Sequence, residues 1–112
     1  MTTVVAIIRP NRFDPVKEAL QDLGVSGMTV SEVRGHGRQK GHTETYRGRE
    51  YDISLLPKLK VEIVTKDDRV EAIVEAIIAN AATGSIGDGK IFLYKAEEVI
   101  RIRNQDRGEM AI

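Results

Sequence analysis

The chain has 112 residues and a mass of 12.4 kDa, with 17 Lys and Arg against 17 Asp and Glu, so its formal net charge is zero. That length suits a single domain over residues 1–112 in which about two thirds of the surface can be buried, and the absence of Cys excludes disulfides, thiolate catalysis and Cys-ligated zinc while fitting a reducing, cytoplasmic setting. Phe13, Phe92, Tyr46, Tyr51 and Tyr94 are the whole aromatic set, too few for stacking on single-stranded nucleic acid, and zero net charge provides no field for a polyanion.

Val4-Val5-Ala6-Ile7-Ile8 is the longest purely apolar run. It is far short of a membrane span and predicts a central strand, apolar on both faces and bounded by Arg9-Pro10. A helix follows, with Asp14 as its cap, Pro15 at the first helical position, Val16, Ala19, Leu20 and Leu23 at helical spacing, and Gly24 as the stop. Met28 to Arg34 reads as a second strand. From Leu59 the alternation is clean: Leu59, Val61 and Ile63 face one way, and Lys58, Lys60 and Glu62 the other. Asp67 and Asp68 open a second helix, whose apolar set Val70, Ile73, Val74, Ile77, Ile78 and Ala81 keeps the 3.6-residue period up to Gly84. Ile91 to Tyr94 reads as a fourth strand and Val99 to Arg103 as a short extra one.

This order predicts an α+β, ferredoxin-like double βαβ with both helices on one face of an antiparallel sheet. The other face is too apolar to stand alone, which predicts a homo-oligomer. From Gly35 to Leu56 the chain shows neither helical nor clean strand periodicity, over a length beyond the roughly 12–15 residues usual for a connection in a compact domain. The expectation is a mobile loop spanning about residues 36–56, one that orders on binding a partner.

Thr83 to Lys90 joins the second helix to the fourth strand. Gly84 to Lys90 satisfies the spacing G-x-x-x-x-G-K, but a P-loop runs from strand to helix and continues with Ser or Thr, whereas Ile91 follows here. What survives is a glycine nest with Lys90 beside it, suited to an anion. The same glycines also serve an ordinary helix stop and turn. In Ile100-Arg101-Ile102-Arg103, an extended backbone would project both guanidinium groups to one face, suited to phosphate, while the isoleucines anchor the other. A solvated face paired with Glu97, Glu98 or Asp106 is the alternative. His36 and His42, with Glu44 nearby, are read as exposed loop residues and not as metal ligands. Without a fixed nucleophile and base the chain reads as a binding protein and not an enzyme. Tyr46 and Tyr51, on a polar loop, are partner anchors or modification targets unless both rings fold back.

Four segments in order then resemble one family. They are Arg38-Gln39-Lys40-Gly41-His42-Thr43-Glu44, Tyr46-Arg47-Gly48 with Glu50-Tyr51, Thr83-Gly84 with Ile86-Gly87-Asp88-Gly89-Lys90-Ile91-Phe92, and Ile100-Arg101-Ile102-Arg103. The chain resembles the PII nitrogen-regulatory signal transduction proteins over essentially its whole length. The resemblance implies a homotrimer with nucleotide clefts between neighbouring subunits, where ATP and ADP compete. It implies that Gly87, Asp88, Gly89, Lys90, Arg101, Arg103 and Arg38 hold the phosphates, with Gly35, Gly37 and Gln39 also at the nucleotide and Thr29, Glu62, Val64 and Thr83 around base and sugar. It further implies 2-oxoglutarate as effector, bound by Gln39, Lys40, Gly41, Lys58 and Gly87, with Gln39 helping to coordinate a Mg²⁺ shared with ATP. A dianion beside a triphosphate is repelled unless a metal lies between them, so 2-oxoglutarate is expected only with Mg-ATP. The long loop is then a sensor arm whose Arg47 position enters an ammonium channel, so that contact with the membrane is indirect. Tyr51 is the position modified by a nucleotidyl-transferring enzyme in some lineages. Nucleic acid is not an expected partner.

Three departures stand out. Arg49 replaces the small residue usual there, which excludes phosphorylation at that position; His36 stands where Phe is common; and Asn104-Gln105-Asp106 replaces the usual Thr-Gly-Glu at the outer wall of the nucleotide cleft. They keep open a paralogue controlling another transporter or pathway, such as inorganic carbon uptake, through a different small anion. Rivals of other classes are a trimeric nucleotide hydrolase and a nucleic-acid binder using the basic loop.

Overall fold

In a computed structural model of the chain, residues 1–36 and 55–112 are described in full, and strands at 43–46 and 49–52 by their backbone. The elements are β1 (Thr2–Ile8), α1 (Phe13–Asp22), β2 (Thr29–Gly35), β3 (Thr43–Tyr46), β4 (Arg49–Asp52), β5 (Leu56–Thr65), α2 (Val70–Ala81) and β6 (Lys90–Lys95), with short 3₁₀ turns at Pro10–Arg12, Asp67–Arg69 and Gly108–Ala111. The apolar run forms the inner strand, as expected. β1 pairs antiparallel with β5 (Val4 opposite Ile63) and with β6 (Val5 opposite Phe92), and β2 adds to the outer edge of β5 (Val30 opposite Val61). The resulting order β2-β5-β1-β6 is that of a ferredoxin-like α+β fold.

Alternation decides which residues face the helices. Val4, Ala6 and Ile8 of β1 and Val61 and Ile63 of β5 meet Val16 and Leu20 of α1 and Ile73, Ile77 and Ala81 of α2 in one core cluster. Each large side chain buried there contributes about 1.5–3 kcal/mol relative to exposure. The opposite face carries Val5, Ile7, Phe92 and Tyr94, with Phe92 43 % and Tyr94 57 % exposed in the single chain. Sheet ends and helix start are tied through Asp67, whose carboxylate accepts from the Thr2 hydroxyl at 2.6 Å and pairs with Lys95 at 3.1 Å and with the Met1 ammonium at 3.1 Å. The Thr2 hydroxyl, then Lys95 and the ammonium, hold its carboxyl well below the usual carboxylate range.

Five local expectations are corrected. Asp14 does not cap α1: Pro10 opens a 3₁₀ turn that runs directly into the helix, so Asp14 lies in the first turn without a capping bond and Pro15 is its third residue. Asp67 and Asp68 likewise sit in a 3₁₀ turn ahead of α2. That helix ends at Ala81 with Ala82 extended, and Gly84, at φ +86°, belongs to the turn beyond. Between Gly35 and Leu56, β3 and β4 form a separate hairpin with Glu44 opposite Tyr51 and Tyr46 opposite Arg49. Such short strands of Thr, Glu, Tyr, Arg and Asp carry no hydrophobic alternation to read. Finally, Val99 to Arg103 is not a strand. A single bridge joins Ile100 to Arg107, and the chain turns through 102–104, leaving Ile102 97 % exposed and unable to anchor the arginines.

Candidate nucleotide and anion site

The turn from Thr83 to Lys90 is built around Asp88. Its carboxylate accepts from the Thr83 amide at 2.7 Å, the Thr83 hydroxyl at 2.5 Å, the Gly84 amide at 2.9 Å and Arg9 Nε at 3.0 Å. The Thr83 hydroxyl and amide, with Arg9 and Gly84 behind them, hold the Asp88 carboxyl well below the usual carboxylate range. Arg9 also donates through Nη2 to the Ile86 carbonyl at 3.0 Å, so one side chain from the end of β1 grips the turn twice. Glycine is required at 89, where φ is +99° and a Cβ would lie 1.7 Å from the Ile7 carbonyl oxygen. The turn therefore sits directly against β1.

Lys58 approaches the same turn from β5. It is 6 % exposed, and its Nζ donates to the Gly87 carbonyl at 2.5 Å. Burial pushes this ammonium below the usual lysine range, and the neighbouring Arg9 charge adds to the effect, opposed by Asp88. Around these groups opens a cleft of about 840 Å³, lined by Ile7, Val33, Arg34, Gly35, His36, Lys58, Ile86, Gly87, Gly89, Lys90 and Phe92. Its ionisable lining is basic: Arg34, His36, Lys58 and Lys90. Such a cleft can hold an anion, with Phe92, Val33 and Ile86 offering an apolar wall.

A second cleft of about 780 Å³ opens elsewhere on the sheet, with Thr3, Ser26, Gly27, Met28, Thr29, Glu62 and Val64 in its lining and Val99, Ala111 and Ile112 beside them. Thr29 and Gly35 are the two ends of β2, about 20 Å apart at the usual rise per strand residue. The expected site residues thus fall into two groups. Gly35, Lys58, Thr83 and Gly87 to Lys90 gather at one end of the sheet, and Thr29, Glu62 and Val64 at the other.

Residues 1–106 match the profile of the family described as "Nitrogen regulatory protein P-II". Proteins of that name from Pasteurella multocida (strain Pm70) and Rhizobium meliloti (strain 1021) are each 57 % identical over 112 residues, covering 100 % of both chains. "Nitrogen regulatory protein P-II 1" of Escherichia coli (strain K12) is 54 % identical over the same full length. The chain belongs to the P-II family of nitrogen regulatory proteins. The α+β fold expected of a P-II protein is the one observed.

Other P-II site expectations fare unevenly in position. Gly37, Arg38, Gln39, Lys40, Gly41 and Arg47 lie outside the described residues, as does the side chain of Tyr51, whose backbone is on β4. Arg101 and Arg103 do not share a strand face. Arg101 donates to Asp106 at 3.1 Å and to the Met110 carbonyl at 2.8 Å, whereas Arg103 is exposed. The side chain of Asp88 is engaged in supporting the turn through Thr83, Gly84 and Arg9. Among the described residues no group of three or more His, Asp or Glu side chains could hold a metal, and Gln39, the position expected at a magnesium ion, lies outside the described residues. Among the described residues no helix is long and apolar enough to cross a membrane. Arg9 carries no local sequence signal of this role. Its partner Asp88 is 79 positions away, and Arg before Pro reads as the end of a strand.

Proposed function

We propose that this P-II protein is a cytoplasmic, non-enzymatic signal transducer that senses adenylate state and 2-oxoglutarate and regulates nitrogen assimilation by binding target proteins. One observation supports this most: the expected nucleotide residues form two groups at opposite ends of one sheet. A single chain cannot wrap one nucleotide with both. A second copy, placed so that its Thr29, Glu62 and Val64 face the first copy's Gly87 to Lys90, brings them together. Such a head-to-tail contact uses two different surfaces and forms a ring when its rotation closes. The family resemblance makes that ring a homotrimer, and the apolar sheet face with Phe92 and Tyr94 gives it a surface to bury.

At the basic end, the glycine turn, Lys90 and Arg38 receive the phosphates of ATP or ADP, with Gly35, Gly37 and Gln39 alongside. Lys58 receives a carboxylate of 2-oxoglutarate, exchanging the neutral Gly87 carbonyl for a charged acceptor, which makes a stronger bond in a buried setting. Gln39, Lys40, Gly41 and Gly87 complete that second site in the presence of Mg-ATP. The segment from 36 to 56 then reports the ligand state to targets, through Arg47 to an ammonium channel and through Tyr51 to a nucleotidyl-modifying enzyme.

Titration calorimetry with 2-oxoglutarate, run with ADP, with ATP alone and with Mg-ATP, tests the reading. Heat of binding only with Mg-ATP is expected. Nucleotide binding without any response to 2-oxoglutarate moves the effector to another small anion, and absence of nucleotide binding refutes the site. Sedimentation at micromolar concentration is expected to show a trimer, and a monomer that binds nucleotide tightly refutes the shared cleft.

A further inference from the structure

The two C-terminal arginines are not equivalent. Arg103 is exposed and has no ion-pair partner among the described residues, whereas Arg101 is half-buried and already engaged. Its Nη1 donates to Asp106 Oδ2 at 3.1 Å and its Nη2 to the Met110 carbonyl at 2.8 Å. The backbone closes around this pair. The Gln105 amide donates to the Arg101 carbonyl at 2.8 Å, and the Arg101 amide to the Asp106 carbonyl at 2.9 Å. Gln105 adopts φ +64°, the left-handed conformation glycine prefers. Asn104 fixes the acid from both sides: its Nδ2 donates to Asp106 Oδ2 at 3.0 Å, and its Oδ1 accepts from the Asp106 amide at 3.1 Å. Asn104, Gln105 and Asp106 thus form a turn that holds a carboxylate against a guanidinium.

We propose that Asp106 is an internal competitor of the nucleotide: its carboxylate occupies Arg101, a phosphate has to displace it, and Asp106 thereby sets nucleotide affinity. This rests on the reading of Arg101 as a phosphate contact. Carboxylate and phosphate offer the guanidinium the same kind of acceptor, and they compete for the same planar donors. The degree of burial suits exchange. Arg101 and Asp106 side chains are 33 % and 32 % exposed, where an ion pair is weak enough to open. A fully buried pair would hold too firmly to release. Displacement also leaves the acid satisfied, because the Asn104 amide remains its donor. Arg103, with no ion-pair partner among the described residues, is open to a phosphate from the start.

The test is ATP calorimetry on the full chain, its parent form, Asp106→Asn, Asp106→Glu, Arg101→Gln and the Arg101→Gln/Asp106→Asn double variant, each checked for trimer and melting temperature. Asparagine keeps the shape of the turn and removes the charge. Asp106→Asn is expected to tighten ATP binding roughly two- to five-fold, Asp106→Glu to stay nearer the parent, and Asp106→Asn to have no effect once Arg101 is Gln. Weaker or unchanged binding in a folded Asp106→Asn overturns the proposal and makes Asp106 a positioning residue for Arg101. A gain that persists in the Arg101→Gln background also overturns it, because the acid then acts on the ligand at large. A parent that binds no ATP overturns the nucleotide reading itself, and the inference with it, before any variant is compared.

Discussion

Alanine at position 89, set against alanine at position 84, separates backbone strain from steric contact in the anion turn. Both glycines have positive φ, +99° at Gly89 and +86° at Gly84. At Gly84 nothing lies within 4 Å of an added Cβ, whereas at Gly89 the Cβ would stand 1.7 Å from the Ile7 carbonyl oxygen and 2.7 Å from its carbon. Gly84→Ala therefore carries only the left-handed penalty, about 1–2 kcal/mol. Gly89→Ala carries a similar penalty plus an overlap that rotamer change cannot relieve, because Ile7 belongs to a strand paired on both sides. The turn has to move instead, and a loss of about 3 kcal/mol or more is expected. Movement there also displaces Gly87 and Lys90, so nucleotide binding should fall with Gly89→Ala and largely persist with Gly84→Ala. Denaturant unfolding at matched protein concentration and nucleotide calorimetry measure the two effects. Equal stability losses in the two variants, or parent-like nucleotide binding by Gly89→Ala, would refute the argument that contact with β1 sets the turn.

The remaining expectations concern charges. Arg9→Ala removes both bonds to the turn, to Asp88 and to the Ile86 carbonyl, and should raise the nucleotide dissociation constant roughly ten-fold; an unchanged value in calorimetry would show that the turn holds its shape without Arg9. Burial depresses the Lys58 pKa, while a carboxylate beside it favours the charged form, so effector binding should take up protons and weaken as pH rises through that lowered value. Calorimetry in buffers of differing ionisation enthalpy reads the uptake, and Lys58→Gln binding with the same proton uptake would contradict the assignment. Asp67 has a depressed folded pKa, so its contribution is present above the unfolded value of about 3.9 and is lost as pH falls below it. Asp67→Asn should therefore be less stable near neutrality and show a shallower acid loss, and an acid limb as steep as the parent's would contradict this.

Much of the frame was legible because burial writes itself into periodicity. β1, apolar on both faces, had to be an inner strand, and α2 kept its stripe through Val70, Ile73, Ile77 and Ala81. Helix starts were less legible, because Pro10 and Asp67 each open a 3₁₀ turn whose residues look like a cap. The arginine segment misled for another reason. Alternating Ile and Arg satisfies a strand pattern, yet a strand needs an edge to pair with, and among the described residues Ile100 bridges only to Arg107. Asp88 shows how the motif Gly-Asp-Gly-Lys can hide a division of labour. An acid beside phosphate is repelled, and its oxygens are here spent on Thr83, Gly84 and Arg9. Arg9 itself left no local signal, since its meaning depends on a turn far along the chain.

The same turn explains how two ligands can influence one another. Lys58 Nζ is bonded to the carbonyl of Gly87, and Gly87 belongs to the turn that, on the reading above, carries the phosphate contacts. A carboxylate that recruits Lys58 removes a bond from that turn, and a phosphate that fixes the turn changes what Lys58 must give up. On that reading neither effect needs a long path, because both sites would involve the one Gly87 carbonyl that Lys58 of β5 holds. Coupling of this kind is reciprocal: the factor by which nucleotide changes effector affinity equals the factor by which effector changes nucleotide affinity. A nucleotide that leaves Gly87 unconstrained should therefore show little coupling to the acid, however tightly it binds.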